Sequence, residues 1–243
     1  VRLVILNPVH VAHWGTFVTT PVVSVDKAIV DVRTNVCVRT KQKGKIKLVT
    51  EILDQEGKKV AKAISTSHQA DSIFYHQKLQ MKSPHLWSVS SPYLYSVLSK
   101  VFVDGKMADC YLTTMGIRSI DFDTNKGFLL NGQPFKLKGV CLHHDLGPIG
   151  AAVNVAALKR QLRLLKEMGS NAIRTSHNPP SREFLQLTDS MGFVVQVEAF
   201  DEWKVAKNLN GYHLYFDEWA EKDLRAMIRR DRNHPSVIMW SIG

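Results

Sequence analysis

The chain has 243 residues, 44% of them apolar and 22% charged, the proportions of a globular protein large enough for one big domain or two ordinary ones. No apolar run approaches the roughly 20 residues of a membrane span, and the apolar opening over residues 1–8 is too short and lacks a small-residue cleavage site, so neither a span nor a signal peptide is expected there. The net charge of +10 is uneven, with 15 Lys/Arg against 8 Asp/Glu in residues 1–117 and 17 against 14 in the remainder.

The densest basic stretch, residues 41–47, sets four lysines around Gly44. With no aromatic platform between them, they read as the solvent face and turn of a hairpin rather than a nucleic-acid site. Cys37, Cys110 and Cys141 are odd in number and widely spaced, which supports neither a zinc site nor a disulfide framework.

Residues 22–117 alternate apolar and polar side chains and predict about seven short strands. The segments D-Q-E-G and V-D-G-K supply glycines where tight hairpin turns need a positive φ. Seven strands in about 95 residues is the size of an immunoglobulin-like sandwich. Trp87 lies beside the strand starting near Tyr93; it can plug the end of the sandwich or offer a face to a sugar.

From residue 118 the period changes. G-F-L-L-N-G-Q-P-F predicts a small hairpin or rim segment, and a first strand is predicted over 135–141. A helical stripe follows at 155, 158, 162, 165 and 168, with Asn154 as N-cap and Gly169 as stop. Next come a strand near 171–175, a helix over 180–191 closed by Gly192, a strand over 193–198, a helix over 215–231 and a strand over 237–240. Alternating strand and helix predict a parallel sheet with crossover helices. No G-x-G-x-x-G follows a strand, so a dinucleotide fold has little support. The four predicted strands end in H-H-D (143–145), R-T-S-H-N (174–178), E-A-F-D-E (198–202) and W-S-I-G (240–243). In a (β/α)8 barrel all such ends face one mouth, where the active site is built.

Adjacent His143 and His144 point opposite ways on an extended strand, so a substrate-side or capping role for this trio with Asp145 outweighs metal ligation. Arg174 inside an apolar strand needs a carboxylate or substrate partner, and Glu198 is the expected contact. His177 and Asn178 precede two prolines, which stiffen a segment suited to hydroxyl recognition. Asp201 and Glu202 are too close in sequence to Glu198 to approach a sugar from two sides, so they read as organisers of a site rather than as a catalytic pair. Trp240 can face a pyranose ring or pack in the core.

G139-V-C-L-H-H-D-L-G-P, N171-A-I-R-T-S-H-N-P-P, E198-A-F-D-E-W and R230-D-R-N-H-P-S-V-I-M-W-S-I-G, occurring in that order, resemble glycoside hydrolase family 2, the β-galactosidase and β-glucuronidase family. L86-W-S-V-S-S-P-Y-L-Y is similar to a segment of that family's immunoglobulin-like domain. The resemblance implies a multidomain architecture: the tail of a preceding sugar-binding-like β-sandwich in 1–20, an immunoglobulin-like β-sandwich in 21–117, and the first half of a (β/α)8 TIM barrel in 118–243. It implies a retaining β-glycosidase acting on terminal β-linked sugars, with β-galactosidase preferred, β-glucuronidase as an alternative, and a noncatalytic carbohydrate-binding or scaffold protein as the rival of another class.

Carried over by the resemblance, the substrate-site positions are His143, Asp145, Arg174, His177, Asn178 and Glu198, with Trp240 near the site floor. In the family Asn-Glu follows W-S-x-G, and its Glu is the acid/base; the nucleophile comes from a later strand. Both catalytic glutamates are therefore expected beyond Gly243, and the fragment alone is expected to be inactive. Val197 stands where members commonly have Asp, a departure that bears on how Glu198 is held. Lys204 stands where magnesium-using members have His, so their metal is not carried over and no cofactor is expected. The implied partner is a β-linked oligosaccharide or glycoside, with no nucleic acid. A homo-oligomer is one way to cover the half barrel. Compartment stays open: periplasmic or extracellular if an upstream leader exists, cytoplasmic otherwise.

Overall fold

The computed structural model describes residues 3–40, 44–68 and 72–243. The chain divides into two compact units, the first holding residues 1–87 and 93–119, the second 88–92 and 120–243. Lys41 and Lys43 of the basic stretch lie outside the described residues.

The first unit is an immunoglobulin-like sandwich. Its strands are β1 (Val9–Val23), β2 (Lys27–Val38), β3 (Lys45–Leu53), β4 (Lys59–His68), β5 (Ser72–Lys82), β6 (Tyr95–Val103) and β7 (Lys106–Met115). They form a three-stranded sheet β1-β2-β5 and a four-stranded sheet β4-β3-β6-β7, all pairs antiparallel. Alternate side chains point inward, as the pleat requires. Val30 and Val32 of β2, Leu79 of β5, Ile52 of β3 and Val97 of β6 meet in one core cluster, and Val36, Leu48, Tyr75 and Val101 in a second. Asp104 and Gly105, with φ of 47° and 84°, make the two-residue turn between β6 and β7 that the right-handed strand twist favours. Trp87 is completely buried, so it closes the sandwich and offers no face to a sugar.

One boundary is corrected. Residues 9–20 belong to the sandwich rather than to the tail of a preceding domain, because Val9–Val23 is its first strand and pairs with β2 from Val9↔Val38 to Val23↔Ala28. The alternation is hidden in the sequence by register shifts between Val11 and Thr16 and between Thr19 and Val22, the first containing Trp14 at φ 50°. Such a bulge resets which side chains face inward.

The second unit begins with a small antiparallel meander of β8 (Ile120–Asp123), β9 (Gly127–Leu130) and β10 (Gln133–Pro134). The alternating part follows: β11 (Gly139–Leu142), α1 (Val155–Glu167), β12 (Ala172–Thr175), α2 (Arg182–Met191), β13 (Val194–Glu198), α3 (Phe216–Asp231) and β14 (Val237–Ser241). The predicted strand over 135–141 thus starts later, and Phe135 instead extends the meander by donating its N–H to the Phe128 carbonyl at 2.9 Å. The sheet β11-β12-β13-β14 is wholly parallel and in sequence order.

Leu158 and Leu162 of α1, Phe184 and Leu185 of α2 and Met227 of α3 share one core with Ile173, Val195, Val197 and Val237 of the strands. All three helices cover the same sheet face, the arrangement of a barrel segment rather than of a doubly wound sheet. Asn154 caps α1 by accepting from the Ala157 N–H at 3.0 Å, and Ser181 caps α2 from the Phe184 N–H at 3.2 Å.

Candidate functional site

The parallel register decides which side chains meet. Cys141, Arg174, Gln196 and Met239 stand side by side across the four strands, on the face opposite the helix-covered Ile173, Val195 and Val197. Glu198, two residues after Gln196, emerges on that same inner face at the C-terminal end of β13.

There Arg174 and Glu198 form a two-point pair, with Nε donating to Oε2 at 2.6 Å and Nη2 to Oε1 at 2.9 Å. His177 Nδ1 approaches Glu198 Oε1 at 2.6 Å and Arg174 Nη2 at 3.3 Å. The short contact to a carboxylate, which only accepts, assigns a proton to Nδ1 and leaves Nε2 to face outward. The Glu198 N–H donates to Thr175 Oγ1 at 3.1 Å, tying the two strand ends together. Glu198 is fully buried while its Arg174 and His177 partners stay about one-third exposed. Burial by itself raises the Glu198 carboxyl, but the hydrogen bonds and charges of Arg174 and His177 outweigh it, and its pKa lies below the ordinary carboxylate value. The cluster is therefore a fixed anion with two partly open cationic or donor groups at its rim.

The other predicted positions separate. His143 meets the cluster through its ring, edge-on to His177 with centroids 5.4 Å apart. Asp145 is engaged locally, its Oδ1 accepting from the Gly147 N–H at 2.6 Å where a short 3-10 turn begins. Asp145 and Asn178 line a neighbouring cleft together with His143, His144, Ser181 and Phe184. Trp240 is not brought to the cluster: it aligns with Val197, while Ser241 aligns with Glu198, so Trp240 leaves the strand on the opposite face. The expectation of Trp240 near the site floor fails because the register shift in β14 sets which of two neighbouring residues faces in.

Glu202 organises the loop after β13. Its Oε2 accepts from the Lys207 N–H at 2.9 Å, and its Oε1 from the His213 N–H at 2.8 Å and lies 3.0 Å from His213 Nδ1. The His213 contacts, then Lys207, hold the Glu202 carboxyl down to a pKa of about 2. A Cβ on Gly211 would fall 1.9 Å from Oε1, so only glycine allows this approach. Lys204 pairs with Asp217 at 2.5 Å.

Residues 123–243 match the profile described as glycosyl hydrolases family 2, TIM barrel domain, and residues 9–118 match glycosyl hydrolases family 2. The chain belongs to glycoside hydrolase family 2. Among family members it is similar to the β-galactosidase BoGH2A of Bacteroides ovatus, 46% identical over 98% of this chain and 28% of that protein. It is 35% identical to the β-glucuronidase of Sus scrofa over 81% of this chain and 29% of that protein. A solved family 2 member from Bacteroides cellulosilyticus superposes with a TM-score of 0.95 at 44% identity, covering 98% of this chain and 31% of that one. The chain thus spans less than a third of the length of these family 2 relatives.

Cys141 was missed as part of the cluster. Its sulfur lies 3.9 Å from Arg174 Nη1, and only the strand register, invisible in a linear reading, brings the two together.

Proposed function

We propose that the protein to which this chain belongs is a retaining β-glycosidase, with a terminal β-galactoside as its substrate. The observation that carries this reading is the Arg174–His177–Glu198 cluster at the C-terminal ends of consecutive parallel strands, the place where barrel enzymes build their sites. Both Glu198 oxygens are already engaged by Arg174 and His177, so Glu198 is an unsuitable proton donor or nucleophile. It holds the rim donors, and the outward His177 Nε2 and the exposed part of Arg174 are placed to bind sugar hydroxyls. Preorganised polar groups lose little freedom on binding, which suits recognition of a hydroxyl-rich ring.

Retention would follow the two-carboxylate scheme, one Glu attacking the anomeric carbon while a second protonates the leaving oxygen and then activates water. Glu198 and Glu202 are given neither role, because both are committed to fixed partners. The galactoside reading is supported by the 46% identity to a β-galactosidase, against 37% and 38% to proteins named putative β-glucuronidase and β-glucuronidase. The test is product release by the intact-length protein from a panel of nitrophenyl glycosides. Turnover of the β-galactoside well above the β-glucuronide is expected; the reverse preference assigns the glucuronide, and no turnover of any β-glycoside refutes the reading.

A further inference from the structure

We propose that Cys141 is a positioning residue of this site: its sulfur is the third anchor of the Arg174 guanidinium and fixes the plane that holds Glu198 and His177. The proposal rests on the reading of the cluster as a glycoside site. An arginine carries five N–H donors in a rigid planar fork. The Nε and Nη2 edge of Arg174 is committed to Glu198 at 2.6 and 2.9 Å. The remaining end, Nη1, meets Cys141 Sγ at 3.9 Å.

This contact is built into the backbone. Cys141 and Arg174 are register partners on the adjacent strands β11 and β12, so their side chains leave the same face side by side. Sulfur is a large, weak acceptor, and its contacts are longer than the roughly 3 Å of an N–H···O bond. Ser176 completes the setting. Its hydroxyl is buried, makes no hydrogen bond of regular geometry, and lies beside the thiol. Ser176 and then Arg174 pull the Cys141 pKa below its ordinary value, against an opposing push from burial and from Glu198.

The two-point pair with Glu198 fixes one edge of the guanidinium but lets the group rock about that edge. An anchor at Nη1 opposes the rocking. Because Glu198 Oε1 accepts from Arg174 Nη2 at 2.9 Å and from His177 Nδ1 at 2.6 Å, the same anchor reaches the imidazole through the shared carboxylate oxygen. A thiol that ionises more readily than usual strengthens the anchor as pH rises through its lowered pKa, since a thiolate accepts from a guanidinium better than a thiol does.

The test compares wild type, Cys141→Ala and Cys141→Ser in the intact-length protein, with KM and kcat for a nitrophenyl β-galactoside followed from about pH 6 to about pH 9. Expected are a KM raised about threefold to tenfold in Cys141→Ala with kcat changed less, partial recovery in Cys141→Ser, and loss in both of the wild-type fall in KM with thiol ionisation. Variants that match wild type in KM, kcat and pH profile overturn the proposal, as does a change confined to melting temperature. Failure of the glycosidase reading is told apart by crystal structures of wild type and Cys141→Ala. With no turnover at all, a displaced or split Arg174 in the variant still supports the anchor, and an unmoved Arg174 refutes it.

Discussion

Glu198 shows how much one buried carboxylate can organise. With no exposure of its own it faces Arg174 and His177, and removing one partner of such a pair strands the other. Glu198→Ala is expected to lower the midpoint of chemical unfolding, by less than the loss of a fully buried pair because water reaches the Arg174 and His177 left behind. Arg174→Lys keeps the charge but loses the fork, and is expected to lower kcat/KM of the intact-length protein about 100-fold, the scale set by misplacing a substrate-orienting group. Glu202 gives a pH signature. Its folded pKa of about 2 lies below the ordinary value of 4.5, so its contribution is complete above the ordinary value and is lost as pH falls through the folded one. Urea melts of wild type taken from pH 5 down to about pH 2 are expected to lose stability that Glu202→Gln never had. At this scale the sequence was informative about Arg174, His177 and Glu198, because a charge inside an apolar strand demands a partner. It was silent about Cys141, whose neighbour is set by register, and wrong about Trp240, whose face is set by an irregularity in β14.

The elements of the second unit carry their boundaries in local chemistry. The Asn154 side chain satisfies the Ala157 N–H at the start of α1, and Asn154→Ala is expected to reduce the stability of this unit by about 1 kcal/mol in denaturant titrations. Loop 199–215 is held differently, by a carboxylate packed onto a glycine. Gly211→Ala would press a methyl against Glu202 Oε1, and an overpacking cost of about 1–3 kcal/mol is expected in the same titrations. Helix starts and stops were legible because capping uses residues within three or four positions of each other. Strand β1 was not, because the irregularity around Trp14 breaks the period by which a strand is recognised. The small hairpin expected over 127–135 is the β9–β10 pair, whereas β8 went unread for a related reason: β8, β9 and β10 have four, four and two residues, too few to display a period.

Across the whole molecule, each unit buries an apolar core of its own. The sandwich gathers Val30, Val32, Leu48, Val97 and Val101 between its sheets, and the barrel segment gathers Leu162, Leu185, Phe193 and Val195 under its helices. Residues 9–118 expressed alone are expected to keep a β-rich circular dichroism spectrum and a cooperative melt, since a unit with its own core can fold by itself. A non-cooperative melt would show that the sandwich depends on the rest of the chain. The sequence by itself determined the class of each unit, because periods of two and of about 3.6 residues are properties of neighbouring side chains. It also determined the family, through separated motifs in a fixed order. Tertiary structure alone decided that all three helices cover one face, that Cys141 stands beside Arg174, that Trp240 faces away from Glu198, and that the first strand begins at Val9. Each of these depends on how strands lie against one another, and pairing register is a relation between distant segments that no local pattern encodes.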